Sequence, residues 1–270
     1  MKLRRVSIVA CLLFMSGLLK AQDLLVMESK NLPLPDSVWV FKPSSYDRAK
    51  EYPLVYLLHG FSGNYKSWNK IIDCQQYAND YGFIIVCPDG LLDSWYLNSP
   101  VQKNKQYVSF FFDELYPSIK KRYAVKAQDI FISGLSMGGH GALSLFLARP
   151  ELFKSAGSTS GVVDLSVGNS KNYKITALLG ADLQQADSLW HRYSVLKKIE
   201  NNAALKKPII FDCGTEDKFH SANDALYEKC LELKIPATYT SQSGGHTATY
   251  WKNNVKTHFD FFSKQIMTKN

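Results

Sequence analysis

Residues 129–143 read Asp-Ile-Phe-Ile-Ser-Gly-Leu-Ser-Met-Gly-Gly-His-Gly-Ala-Leu, and this stretch decides the fold. Ile130, Phe131 and Ile132 form a short apolar run rich in β-formers, which predicts a buried strand. Gly134 and Gly138 bracket Ser136, and the small residues Gly138, Gly139, Gly141, Ala142 and Ala148 let the following helix pack closely. A turn this tight holds the serine at strained backbone angles, where a Cβ on either flanking glycine would collide. Ser136 then projects from a strand end over a helix N-terminus. The N–H groups there lack an intrahelical acceptor and carry partial positive charge, which suits the oxyanion formed when a hydroxyl attacks a carbonyl carbon. Gly-x-Ser-x-Gly alone arises by chance, and an ordinary glycine-rich turn is the competing reading. The strand before and the small-residue helix after are the context that a nucleophile elbow demands.

Outward from this turn, apolar runs of strand length alternate with longer amphipathic segments. Strands are expected at 24–27, 37–41, 54–58, 83–86, 130–133, 155–158, 209–213 and 237–241, and helices at 67–80, 107–123, 137–148, 221–233 and 249–265. Continuous apolar strands separated by helices imply an α/β domain: a mainly parallel sheet with helices on both faces and functional groups at the strands' carboxyl ends. Residues 162–207 separate two strands by more than a usual connection and read as a small cap-like insert. Within it, Trp190, Tyr193 and the run Leu178 to Asp182 either shape a pocket or anchor the insert to the body.

A serine hydroxyl needs a base, and the base needs an orienting carboxylate. In this strand-turn-helix arrangement the chain order is serine, acid, histidine. Of six histidines, His59 and His140 adjoin glycines of turns and suit bracing. His191 belongs to the insert, His220 follows the acid loop too closely, and His258 sits inside the last helix. His246, in Ser243-Gly244-Gly245-His246-Thr247, occupies a flexible loop between the last strand and the last helix. For the acid, Asp217 lies in the loop after the strand Ile209 to Phe211. Glu216 is its close rival, Asp212 falls on the strand itself, and Asp182 or Asp187 would require the insert to fold back. The oxyanion donors expected are the N–H groups of Met137 and of Phe61, the latter in His59-Gly60-Phe61-Ser62-Gly63 directly after an early strand.

The N-terminus places Lys2, Arg4 and Arg5 before an uncharged apolar stretch from Val6 to Leu19, then Lys20-Ala21-Gln22, the pattern of a secretory signal peptide over residues 1–21 with cleavage after Ala21. Ile8-Val9-Ala10-Cys11 resembles a lipoprotein box but would leave almost no apolar region before the cut. No later segment reaches membrane-spanning length, so an exported protein without stable membrane insertion is expected. Loss of residues 1–21 removes four cations and no acids, taking the formal charge from +8 to +4. The remaining Lys and Arg are scattered among acids, which argues against nucleic acid as a partner. About 250 residues at 46% hydrophobic content suit one domain, residues 22–270. Cys74, Cys87, Cys213 and Cys230 either pair in an oxidising compartment or serve as core thiols. No spacing of Cys, His and carboxylates suggests a metal site, and no cofactor is expected.

Taken together, Leu57-Leu58-His59-Gly60, Pro88-Asp89-Gly90 with Ser94-Trp95-Tyr96, Gly134 to Gly141, Gly214-Thr215-Glu216-Asp217, and Gly245-His246 with Tyr250-Trp251 resemble the esterase D/tributyrin esterase group, related to family 1 carbohydrate esterases. The resemblance spans almost all of residues 22–270. It implies an α/β-hydrolase carboxylesterase with Ser136, Asp217 and His246 as triad, Phe61 and Met137 as oxyanion donors, and a small-molecule or carbohydrate-linked ester as substrate. Relatives of that group include feruloyl and acetyl xylan esterases, short-chain esterases, S-formylglutathione hydrolases and mycolyltransferases, and export argues against a glutathione substrate. Trp95 and Tyr96 would either wall the substrate site or serve as a structural aromatic pair. Asn98-Ser99-Pro100 departs from the group's usual Asp-Ser-Pro on this side of the site. Two other readings stay open: a peptidase of the same fold, and a non-catalytic carbohydrate-binding protein on a hydrolase scaffold.

Overall fold

The computed structural model describes residues 22–167, 174–180 and 186–267. The expected leader, with Cys11, and the rival acid Asp182 lie outside the described residues. Eight strands form one sheet: β1 (Gln22–Met27), β2 (Asp36–Phe41), β3 (Tyr52–Leu58), β4 (Ile84–Pro88), β5 (Val125–Gly134), β6 (Ser155–Thr159), β7 (Ile209–Gly214) and β8 (Ala237–Gln242). Their spatial order is β1-β2-β4-β3-β5-β6-β7-β8. The β1–β2 and β2–β4 pairs are antiparallel and every other pair is parallel, so this is the mainly parallel sheet that alternating strands and helices predict. A register shift between Tyr52 and Leu54 falls at Pro53, which has no N–H to give to the ladder.

Helices α1 (Ser67–Ile71) and α2 (Cys74–Tyr81) follow β3, and α3 (Tyr107–Ser109) and α4 (Tyr116–Arg122) precede β5. Next come α5 (Met137–Ala148), α6 (Ile175–Leu179), α7 (Ala186–Tyr193), α8 (Val195–Glu200), α9 (His220–Glu232) and α10 (Ala248–Met267). The segment expected as one helix over 67–80 is split because Asp73 accepts from the Gln76 N–H at 2.9 Å and caps a new helix. Between α3 and α4, Phe110–Leu115 is π-helical. Pro117 has no N–H to return to the preceding turn, and a wider turn accommodates that loss.

Both sheet faces are apolar. On β3, Leu54, Tyr56 and Leu58 join the larger core, while Val55 and Leu57 join the smaller one on the opposite face with Phe131, Val255, Phe259 and Phe262. The alternation follows the period-two side-chain pattern of a strand. Phe131 stacks on Phe262 of α10 with ring centroids 4.7 Å apart. The described part of 162–207 joins the larger core through Val163, Leu165, Leu178, Trp190 and Val195, so Trp190 is packing mass buried against the body. Cys74, Cys87, Cys213 and Cys230 are buried free thiols.

The topology also fixes where a site can form. From β3 the chain turns to β4 on one side, and β5 then inserts on the other side of β3. The loops leaving β3 and β5 diverge and open a crevice at their carboxyl ends. Both glycine-rich turns singled out in the sequence lie there.

Candidate active site

Ser136 ends the turn between β5 and α5 at φ 55° and ψ −118°, a conformation non-glycine residues rarely adopt. Its neighbours hold it there. The Ser136 N–H donates to the Thr159 carbonyl at 3.0 Å, and its own carbonyl accepts from the N–H groups of His140 at 3.1 Å and Val162 at 3.2 Å. A Cβ on Gly134 would strike the Gly138 carbonyl, and one on Gly138 would strike the Leu58 carbonyl, so the backbones of β3, β5 and α5 meet where only glycine fits.

His246 reaches this serine from the loop between β8 and α10. Its Nε2 lies 2.8 Å from Ser136 Oγ, and its Nδ1 lies 2.7 Å from Asp217 Oδ2. The ionised carboxylate accepts from Nδ1–H, which leaves Nε2 bare to accept the Ser136 O–H. Asp217 Oδ1 accepts from the Phe219 N–H at 3.0 Å, and the Asp217 side chain is wholly buried. Burial raises the Asp217 carboxyl, but the hydrogen bond and charge of His246, with the Phe219 N–H, outweigh it and hold the group below the ordinary carboxylate range. Phe219 and Trp251 flank the imidazole edge-on, with centroids 5.2 Å and 5.1 Å away.

The rival carboxylates have other partners. Glu216 is solvent-facing, accepts from Thr215 Oγ1 at 2.8 Å and Ser243 Oγ at 3.1 Å, and takes the Gly244 N–H, so it ties down the loop that carries His246. Asp212 lies inside the sheet, with its Oδ2 bonded to His258 at 2.8 Å.

Met137 is the first residue of α5, so its N–H has no acceptor one turn back in the helix. Phe61 lies in the loop after β3 and lines the same cavity as Ser136 and His246. His59 braces that loop: its Nε2 accepts from the Gly90 N–H at 2.7 Å, and its Nδ1 donates to the Gly60 carbonyl at 2.7 Å.

Trp95 and Tyr96 part company. Trp95 lines the cavity, whereas Tyr96 is fully buried and is absent from its wall. The expectation that Tyr96 touches substrate is therefore corrected. Its hydroxyl donates to the His59 carbonyl at 2.9 Å, and its ring fills the space that Cβ atoms on Gly90 and Gly141 would need. Both residues sit at positive φ, 51° for Trp95 and 56° for Tyr96, which costs about 1–3 kcal/mol each and must be over-determined by packing.

The cavity measures about 310 Å³, and beside Ser136 and His246 its walls are mainly Phe61, Trp95, Leu135, Val162, Phe219 and Trp251. Of these, Leu135, Val162 and Phe219 carry no spacing signal that would mark them in advance. They become walls only when β5, the insert and the loop after β7 converge. Among the described residues no group of three or more His, Cys, Asp and Glu side chains could hold a metal ion, and no helix is long and apolar enough to cross a membrane.

Residues 29–261 match the family model Esterase, whose description is "Putative esterase". An S-formylglutathione hydrolase of Rattus norvegicus is 26% identical over 253 residues, covering 83% of this chain and 88% of that protein. An acetyl esterase of Caldicellulosiruptor saccharolyticus is 26% identical over 229 residues, covering 78% of this chain and 83% of the relative. A solved ferulic acid esterase aligns with a TM-score of 0.77 at 25% identity, over 90% of this chain and 97% of that one. The chain belongs to the Esterase family, with an α/β-hydrolase fold, and is a serine hydrolase of carboxylic esters.

Proposed function

We propose that Ser136, His246 and Asp217 are the triad of an exported carboxylesterase acting on small, uncharged acyl esters, with acetyl and feruloyl esters of plant polysaccharide as the natural class. His246 takes the Ser136 proton as Oγ attacks the ester carbonyl, and Asp217 orients the ring and offsets its charge. The N–H groups of Met137 and Phe61 receive the oxyanion. His246 then returns the proton to the leaving alcohol, an acyl-serine forms, and water activated by the same ring releases the acid.

The observation that carries this reading is the pair of contacts made by one imidazole, 2.8 Å to Ser136 Oγ and 2.7 Å to Asp217 Oδ2. The substrate class draws support from the cavity: among the described residues, aromatic and aliphatic side chains dominate its wall, with no Lys or Arg in the lining to meet an anionic substrate such as glutathione. The acetyl esterase and ferulic acid esterase likenesses point the same way. Export is supported by the basic-then-apolar pattern of residues 1–21.

The test is an acyl panel run on the purified enzyme: 4-nitrophenyl acetate, 4-nitrophenyl butyrate, methyl ferulate, acetylated xylan and S-formylglutathione, beside a chromogenic dipeptide. The reading expects kcat/KM for acetyl or feruloyl esters to exceed that for the thioester and the peptide. A preference for S-formylglutathione or for the peptide would overturn the substrate assignment.

A further inference from the structure

Beneath the site lies a second serine-histidine-aspartate chain that no substrate can reach. Ser133 Oγ is 2.9 Å from His258 Nδ1, and His258 Nε2 is 2.8 Å from Asp212 Oδ2. Asp212 Oδ1 accepts from Thr159 Oγ1 at 2.7 Å. Ser133, Asp212 and His258 are at most 3% exposed. The polarity is coherent: Nε2–H donates to the carboxylate, and bare Nδ1 accepts the Ser133 hydroxyl. Space is reserved for the contact, because a Cβ on Gly157 would come within 2.6 Å of His258 Nδ1 and 2.8 Å of Ser133 Oγ.

The placement of these residues points to their role. Ser133 lies three residues before Ser136 on β5, Asp212 lies five before Asp217 on β7, and His258 lies twelve after His246 on α10. The buried trio therefore ties together the same three elements that carry the triad above it. It also reaches the nucleophile's own backbone. Asp212 holds Thr159 through its side chain and accepts the Ser160 N–H on its carbonyl at 2.8 Å, and the Thr159 carbonyl is what the strained Ser136 N–H donates to. Burying a carboxylate, an imidazole and a hydroxyl incurs a desolvation penalty that an apolar filling would avoid, so the array earns its place through geometry rather than stability.

We propose that His258, bridging Ser133 and Asp212, is a positioning residue that sets the register of β5, β7 and α10 and so the reach of His246 to Ser136. This rests on the serine-esterase reading above. A displacement of about 1 Å at reacting atoms can lower turnover by roughly 100-fold.

The test compares His258→Leu, His258→Gln and Ser133→Ala with Phe262→Leu, a core change one turn further along α10. Each is read for kcat and KM on 4-nitrophenyl acetate, for the rate of labelling by a fluorophosphonate, and for the thermal midpoint. His258→Leu is expected to lower kcat and labelling by about 10- to 100-fold with KM within about two-fold of wild type. His258→Gln, which can donate to Asp212 and accept from Ser133, should recover to within about five-fold. Phe262→Leu should lose thermal stability yet keep kcat within about two-fold. If His258→Leu does not fold, Ser133→Ala and Thr159→Val test the same network through a kcat loss without a KM change. Wild-type kcat in the folded His258→Leu enzyme, or an equal loss in Phe262→Leu, would overturn the proposal while leaving the esterase reading intact. A wild-type protein that neither hydrolyses the ester nor takes the label would instead remove the esterase reading, and this inference with it.

Discussion

His246 Nδ1 lies 2.7 Å from Asp217 Oδ2 although 29 residues of chain separate them, and the contact is closed by two loops leaving adjacent strands, β7 and β8. The sheet supplies the rigidity that these loops lack. Because the Asp217 side chain is wholly buried, the carboxylate turns toward the imidazole, and the ring's free nitrogen toward Ser136.

Replacing Ser136 by Ala removes the attacking oxygen and leaves the turn's glycines in place. Turnover of 4-nitrophenyl acetate should fall by at least about 10³-fold, with circular dichroism and thermal midpoint close to wild type. Near-normal hydrolysis would end the assignment.

Asp217→Asn should lower kcat by about 10³- to 10⁴-fold, because an amide cannot hold the imidazole in the tautomer that accepts from serine. Glu216→Gln should stay within about ten-fold, since that side chain only braces the His246 loop. Parallel kinetics on the two variants decide which neighbour is the acid.

Acid stability should depend on His140. Burial, and then the charge of Lys198, push this ring from 6.5 down to about 3. Between those values the unfolded chain takes up a proton that the folded protein refuses, so stability falls as the pH drops through this window, at up to about 1.4 kcal/mol per pH unit. Urea titrations at pH 6.5, 5.5 and 4.5 should show a smaller slope in His140→Gln. Equal slopes in both proteins would show that the ring is protonated in the fold.

Tyr96→Phe removes one buried donor from the His59 carbonyl and should cost about 1 kcal/mol of unfolding free energy. KM for methyl ferulate should not move, because the ring lies behind the cavity wall. A several-fold rise in that KM would restore Tyr96 as a substrate contact.

Much of this was legible before any coordinates. The central strands were legible because buried parallel strands are short and continuously apolar, the edge strands β1 and β8 only through β-forming residues on a half-exposed surface, and Gly134-x-Ser136-x-Gly138 marked the turn because only glycine fits there. His246 stood out by elimination: His59 and His140 adjoin glycines of turns and suit bracing, His191 belongs to the insert, His220 follows the acid loop too closely, and His258 lies inside the last helix. Other features had no local signature. Nothing near Tyr96 in the chain says that two glycines from distant segments will close around its ring. Ile72 and Asp73 broke an expected helix through a cap whose strength depends on geometry. The Ser133–His258 contact spans 125 positions, and no periodicity encodes it.

The edge-on approach of Trp251 to His246 gives the protein an optical gauge of its own. Of five tryptophans, Trp68, Trp95 and Trp190 are buried, and Trp251 is the one that stands 5.1 Å from the imidazole. An indole this close to an imidazole feels the charge that ring gains on protonation, because an aromatic ring's quadrupole interacts with a neighbouring cation. Emission followed against acidity, with Trp251→Phe as the blank, would thus record when the base gains its proton, with no added dye and no turnover.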